Sequence, residues 1–385
     1  MACTIYQLDI EESIVLIRYG TDANGKPVKK AIIYTKQEHG IVKEKIDSDA
    51  LKIVERLRDA GFAAYIVGGA VRDLIVGNMP KDFDIVTEAT PLRIKRLFRN
   101  SRIIGKRFRL VHVIVGQKIF EVSTFRSTAE GSTGNNFGSM DEDVRRRDFT
   151  INALYYDPSK EHVIDYVGGV RDIKKQVLNP VISLDRIFVE DPVRMIRAIK
   201  YSALADVRMS LSLRRKIRQS ANLLQSVPPS RLTEELLKII NSSHMYDIVR
   251  EALDTDLYIY LQPAASSFIY ADKNFKNAYL ESLKNLDSCT ACEGNARLGR
   301  KLAFLLTDFI STLTDWQKEV AMHTPSYELY AHTWRECRHF VLPMNPQRTE
   351  LEFAVKMELI ERGVKVQGKK RVRAQTAAEE KLQDK

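Results

Sequence analysis

Asp82 and Asp84 flank Phe83 at the start of an extended run, Phe83-Asp84-Ile85-Val86, whose period of two sets both carboxylates on one face. Two hard anionic oxygen donors side by side suit Mg²⁺. Shortly before them, the apolar β-type run Tyr65-Ile66-Val67 stops at Gly68 and Gly69. The missing Cβ there lets backbone N–H groups approach an anion closely. From Ala70 to Val76 apolar side chains recur at helical spacing, so an anion held at the glycines lies near a helix N-terminus, where free N–H groups and the dipole favour negative charge. Arg72 faces the same anion. A Gly-Gly pair alone is a turn, and an Asp-x-Asp alone a solvated loop. In this order they describe a triphosphate with its metal, the equipment of polymerase-type nucleotidyl transfer.

Two metal ions about 3.5–4 Å apart need more anionic oxygen than two aspartates supply. Glu121 is the third candidate: it lies in the alternating run 118–126, of strand character, which is expected to pair beside the first two carboxylates. The plain alternative is a charged residue on a solvated strand face.

The order strand, Gly-Gly, short helix with an arginine, turn, then Asp-x-Asp on a strand resembles the head of the nucleotidyltransferase superfamily that includes DNA polymerase β, the CCA-adding enzymes and the poly(A) polymerases. The resemblance implies a mixed sheet backed by helices. Downstream, Arg146-Arg147-Asp148-Phe149-Thr150-Ile151-Asn152-Ala153-Leu154 is similar to the RRDFTINAL segment of the bacterial CCA-adding and poly(A) polymerase branch. That similarity implies that Arg147 and Asp148 line the nucleotide site, with Asn152 nearby. Asp148 is a catalytic candidate ranked below Asp82 and Asp84, because its neighbours argue equally for a structural ion pair.

A further element, 189–200, reads as a helix with Asp191 as cap and Pro192 at the first helical position. Asp191, Arg194 and Arg197 share one face by their spacing of three. In the family branch this helix carries the carboxylate and guanidinium that read the incoming base in place of a template. A carboxylate accepts from the amino group of adenine or cytosine, and a guanidinium donates to the adjacent ring nitrogen; guanine and uracil present the opposite pattern. By this logic Asp191 and Arg194 select A and C over G and U and do not separate A from C. Capping alone remains the other reading of Asp191. The lead-in segments 34–41 and 46–51, the stretch 104–113 and Glu190-Asp191-Pro192-Val193-Arg194-Met195 resemble the poly(A) polymerase side of the branch.

The chain has 385 residues, a net charge of +10 and 29% charged residues, enough length for two or three domains each with its own core. Its basic residues are unevenly placed: between Arg93 and Arg109 there are eight and no acidic one. Within that stretch Lys106, Arg107 and Arg109 are RNA-binding candidates, as are Lys369, Lys370 and Arg371 near the C-terminus, where a solvated surface is the alternative. Cys289 and Cys292 form a lone Cys-x-x-Cys with no second pair at zinc spacing, so incidental thiols are expected. With no signal-peptide core and no long apolar run, the expectation is a cytoplasmic protein without a membrane partner.

The expected architecture is an α/β catalytic head, polymerase-β-like with a mixed sheet and helices, followed by an all-α body. Residues 1–48 form an N-terminal extension and family lead-in, 49–175 the head, 176–245 a helical nucleotide-recognition neck, 246–365 a helical RNA-binding body and 366–385 a basic mobile tail. Helices are expected around 186–205, 210–226 and 229–241. The resemblance implies two Mg²⁺ ions and ATP, with an RNA 3′ end as acceptor and template-independent addition of AMP as the reaction. The alternatives are a tRNA nucleotidyltransferase adding C and A, and a non-catalytic RNA-binding relative.

Overall fold

The computed structural model describes residues 16–21, 26–105, 110–127, 137–292 and 296–365. The basic candidates Lys106, Arg107, Arg109, Lys369, Lys370 and Arg371 lie outside the described residues, as does the whole of the tail expected over 366–385. Two compact units are present, one made of 1–190 with 205–213, the other of 191–204 with 214–385. The boundary expected at 175 therefore falls inside the first unit, and the expected neck is divided. The reason is local pairing: Val177–Leu178 forms a short parallel ladder with Arg208–Met209, which ties 205–213 to the head.

In chain order the first unit contains β1 (Leu16–Thr21), β2 (Pro27–Tyr34), α1 (Lys36–His39), α2 (Ser48–Asp59), β3 (Ala64–Val67), α3 (Gly69–Val76), β4 (Asp84–Thr87), α4 (Pro91–Leu97), β5 (Ser101–Ile104), β6 (Leu110–Val115), β7 (Lys118–Thr124), α5 (Met140–Arg145), β8 (Leu154–Asp157), β9 (His162–Asp165), α6 (Gly169–Lys174) and α7 (Ile187–Glu190). Among the described residues nine of its strands make one mixed sheet in the order β1-β2-β9-β8-β3-β4-β7-β6-β5. The pair β4–β7 is parallel and the other neighbours are antiparallel. The hairpin β1–β2 extends the sheet beyond β9, through the register Ile33↔Ile164.

Alternation along the strands decides what each face does. Val67, Val86, Phe125 and Tyr155 share one face with Val144 of α5 in a buried cluster. Ile66, Ile85 and Val122, fully buried, point to the other side, where α2 and α4 pack. Helix α2 presents Ala50, Ile53, Val54 and Leu57 to the sheet at spacings of three and four. Asp47 caps it by accepting from the Asp49 N–H at 2.8 Å.

The second unit is helical, beginning with α8 (Val193–Leu204) and continuing through Arg214 of α9 (Leu211–Ser220) and α10 (Pro229–Ile240) to Arg348–Glu361. The single helix expected over 186–205 is broken into α7 and α8. Pro192 lacks an N–H and disfavours helical geometry in the residue before it, so the chain leaves the helix at Asp191 and restarts. Likewise the helix expected over 210–226 ends at Ser220 and continues as the tighter turns Ala221–Ser226.

Candidate active site

Strand register brings the two sequence signatures together. Val67, the last residue before the glycine turn, pairs with Asp84, so one carboxylate stands beside the start of α3. On the other side of β4, Ile85 pairs with Val122, which sets Glu121 next to Asp84 on the neighbouring strand. Asp84 and Glu121 share the face of Val86 and Phe125 by the period of two, and Asp82, Asp84 and Glu121 are all exposed. His112 lies opposite Glu121 on β6, with its Nε2 3.6 Å from Glu121 Oε1. A groove of about 370 Å³ opens at Asp82, walled by Ile46, Asp47, Met79, Phe83 and Lys118.

Among the described residues no three His, Cys, Asp or Glu side chains converge closely enough to cage a metal ion. The donor set nevertheless fits Mg²⁺. This ion keeps several waters and is bound through one or two carboxylates plus substrate phosphates, and exposed carboxylates on adjacent strands offer that open arrangement.

The glycine turn is shaped for close approach. Gly68 has φ 71° and ψ −132°, a conformation that only glycine adopts without strain. A Cβ built there would lie 3.8 Å from Arg147 Nη1 and 3.9 Å from the Asn152 carbonyl oxygen. Arg72 is buried; it donates from Nη1 to Asn152 Oδ1 at 2.7 Å and from Nε and Nη2 to Asp73 Oδ1 at 2.8 and 2.7 Å. Asn152 Nδ2 is buried and has no partner among the described residues. A buried donor left open beside a glycine turn fits an oxygen-rich ligand. The sequence-predicted residues Gly68, Gly69, Arg72, Arg147 and Asn152 thus converge in space.

The segment holding Arg147, Asp148 and Asn152 is anchored from behind. Asp148 is buried, and its Oδ1 accepts from the Phe149 N–H at 2.8 Å. Thr150 donates to Asp172 Oδ2 at 2.7 Å, and its carbonyl packs so tightly on Gly169 that a Cβ there would come within 2.2 Å of it. Asp165 Oδ1 and Oδ2 accept from the N–H groups of Val167, Gly168, Gly169 and Val170, which fixes the turn that carries Gly169.

Asp143, on α5, is a residue that sequence reasoning missed. Its Oδ2 accepts from Tyr155 Oη at 2.7 Å and from Arg147 Nη2 at 3.0 Å, and its Oδ1 from Arg146 Nε at 3.0 Å and the Arg126 N–H at 3.3 Å. Burial pushes the Asp143 pKa up, but the Arg147 and Arg146 guanidiniums outweigh it and hold the carboxyl below the usual carboxylate range. Burial also works against the Arg147 charge, and Tyr155 and Asp143 outweigh it, so that group stays firmly protonated. Burial, aided by the Arg146 charge, pulls Arg126 down to about 10. The signal available in the sequence was the spacing of three and four from Asp143 to Arg146 and Arg147; Tyr155 gave none.

In the second unit Asp191 does two things. Its Oδ1 accepts from the Val193 N–H at 3.2 Å, as a cap does, and its Oδ2 accepts from Arg231 Nη2 at 2.9 Å. Arg231, on α10, was not singled out in the sequence. Arg197 lies along its own helix, donating to Tyr201 Oη from Nη2 at 3.0 Å.

A mixed sheet with a glycine turn beside paired strand carboxylates defines the class of nucleotidyltransferase heads, and residues 64–179 match the family described as the poly A polymerase head domain. Residues 206–269 match the family described as the probable RNA and SrmB-binding site of polymerase A. These two segments are of poly(A) polymerase type, and the chain is similar both to poly(A) polymerases and to CCA-adding enzymes. It is 39% identical over 274 residues to poly(A) polymerase I of Salmonella typhi, covering 66% of this chain and 59% of that protein. To the CCA-adding enzyme of Ligilactobacillus salivarius it is 34% identical over 233 residues, covering 58% and 55%. The chain thus spans less than two thirds of the curated relatives it matches. Among solved structures it is similar to the Bacillus stearothermophilus CCA-adding enzyme in complex with CTP, with TM-score 0.53 and 24% identity over 81% of this chain and 82% of that one. A CCA-adding enzyme in complex with ATP gives TM-score 0.54 at 21% identity over 87% and 88%. At these identities the structural likeness speaks for the fold alone. No helix among the described residues is long and apolar enough to cross a membrane.

Proposed function

We propose that this protein adds AMP from ATP to RNA 3′ ends without a template. The observation that carries the reading is the pairing of Val67 with Asp84, which sets the glycine turn beside the strand carboxylates. Gly68 and Gly69 offer backbone N–H groups to the triphosphate, and Arg72, Arg147 and Asn152 supply charged and neutral donors around the same turn. Asp82, Asp84 and Glu121 would hold Mg²⁺, which when bound lowers the pKa of the RNA 3′-hydroxyl and neutralises charge on departing pyrophosphate. Held in line, the 3′-oxygen attacks the α-phosphorus and pyrophosphate leaves. Asp148, buried and accepting from the Phe149 N–H, ranks below Asp82 and Asp84 as a catalytic group.

In the second unit Asp191 and Arg194 read the adenine edge, with Arg197 on the same helix. Arg231 orients Asp191 through its ion pair. RNA is bound by the basic residues, Lys106, Arg107 and Arg109 in the head and Lys369, Lys370 and Arg371 in the tail, together with the 206–269 segment, whose family description names RNA and SrmB. A cytoplasmic location belongs to the same reading, since RNA and ATP are found there. Poly(A) polymerase I relatives at 39% identity support A addition over the C and A addition named for the relatives at 34%.

The test incubates the purified protein with Mg²⁺ and each nucleoside triphosphate separately, on a generic RNA and on a tRNA lacking its terminal nucleotides. Repeated addition of A to both is expected. Addition of C, C and A that then stops, confined to the tRNA, would replace this reading with tRNA nucleotidyl transfer. Absence of any incorporation would leave RNA binding as the protein's role.

A further inference from the structure

We infer that Asp143 is a positioning residue of the nucleotide site, setting the pose in which Arg147 meets the triphosphate at the Gly68 turn. The inference rests on the reading of that turn as the triphosphate cradle. Asp143 touches no part of the proposed substrate site itself: its side chain is 1% exposed and both oxygens are engaged from four directions. Oδ2 takes Arg147 Nη2 at 3.0 Å and Nε at 3.3 Å, a two-point grip that fixes the plane of the guanidinium. Tyr155 Oη locks the same pair, donating to Asp143 Oδ2 at 2.7 Å and accepting from Arg147 Nε at 3.0 Å. The remaining nitrogen, Nη1, donates to the Asn152 carbonyl oxygen at 3.2 Å and lies 3.8 Å from the Cβ position of Gly68. The donor that faces the turn is therefore aimed by the atoms that hold the other two.

A second consequence concerns charge. Arg146 Nη2 sits 2.9 Å from Asp143 Oδ1, so one carboxylate is shared by two consecutive guanidiniums. Removing the charge of that carboxylate leaves two like charges sharing a neutral partner in a half-buried place, which disfavours the arrangement. The backbone N–H of Arg126, two residues beyond the end of the strand that carries Glu121, also reaches Oδ1. Asp143 thus joins that strand end to the arginine at the glycine turn.

The experiment compares wild type with Asp143→Asn, Arg147→Ala and the double variant, and measures ATP dissociation by equilibrium dialysis, KM and kcat for ATP, RNA affinity by filter binding and thermal unfolding. Asparagine keeps the shape and one acceptor oxygen and removes the charge. In Asp143→Asn the ATP Kd and KM are expected to rise roughly tenfold, the size of losing one charge-assisted contact, with RNA affinity unchanged. Because Asp143 acts through Arg147, the double variant should bind ATP no worse than Arg147→Ala alone. An ATP Kd in folded Asp143→Asn within twofold of wild type, or tighter, would overturn the proposal, as would additive losses in the double variant. Should Asp143→Asn not fold, Tyr155→Phe removes the hydroxyl that bonds both residues while keeping the ring, and is judged against the same two outcomes. If wild type itself binds no ATP, the nucleotide reading of the Gly68 turn fails before Asp143 is tested.

Discussion

Arg231 donates from Nη2 to Asp191 Oδ2 at 2.9 Å, while Asp191 Oδ1 accepts the Val193 N–H at 3.2 Å. The carboxylate at the start of α8 is therefore both a helix cap and one half of an ion pair reaching 40 residues along the chain. A residue that only capped would need no such partner, because asparagine caps as well as aspartate does.

Asp191→Asn separates these roles. The substitution keeps the cap and removes the charge that pairs with Arg231 and that, in the proposed reading, accepts from the adenine amino group. Preference for ATP over UTP and GTP should fall on the order of tenfold to hundredfold, as losing a hydrogen bond to a charged group costs about 1.5–3 kcal/mol. Competition kinetics with mixed nucleotides read the ratio directly. Unaltered preference in a folded Asp191→Asn protein would reduce Asp191 to its structural part.

The exposed carboxylates make a second prediction. Asp82→Ala or Asp84→Ala should abolish incorporation while leaving RNA affinity within about twofold of wild type, because in the proposed mechanism the metal acts on the transition state and the basic residues carry binding. Single-turnover assays beside filter binding measure both. Turnover retained in both variants would remove the metal assignment.

Backbone geometry at the glycine turn is testable through stability. Gly68→Ala forces a Cβ onto a residue with φ 71° and should destabilise the head by about 1–3 kcal/mol in urea unfolding. At Gly69 a Cβ would meet Arg72 Nη2 at 3.5 Å, an ordinary contact, so Gly69→Ala should stay within about 0.5 kcal/mol of wild type. Equal losses at both positions would mean that the turn does not depend on the positive φ.

A pH dependence follows from His39 in the lead-in. Its Nδ1 accepts from the Ile41 N–H at 2.9 Å and its Nε2 donates to the Glu161 carbonyl at 2.9 Å, so the folded chain requires the neutral ring. Burial pushes the imidazole below its ordinary value. With the folded pKa lower than the unfolded one, the unfolded chain takes up the proton first, and the stability contribution is complete above about pH 6.5 and lost as pH falls below it. His39→Asn, which keeps an acceptor near Nδ1, should show a smaller drop in melting temperature between pH 7.5 and 5.5 than wild type. An identical drop in both would place the titration elsewhere.

Sequence alone determined the parts whose physics is local. Gly68 and Gly69 ending an apolar run, Asp82 and Asp84 at a spacing of two, and Asp191 ahead of a proline each state their backbone geometry through residues a few positions apart. The helical character beyond the head was legible for the same reason, the mixed sheet came from the family resemblance, and the break of the long helix at Asp191 needed only the chemistry of Pro192. Tertiary structure alone decided what no short window contains. Arg72 meets Asn152 across 80 residues, and Arg231 reaches Asp191 across 40. The short ladder of Val177–Leu178 with Arg208–Met209 assigned 205–213 to the head. Asp143 stands within helical reach of Arg146 and Arg147 along the chain, but only the sheet brings Tyr155 against it. An ion pair or a buried hydrogen bond depends on which surfaces meet after the strands find their register, and register is set by the whole sheet burying one face of every strand at once.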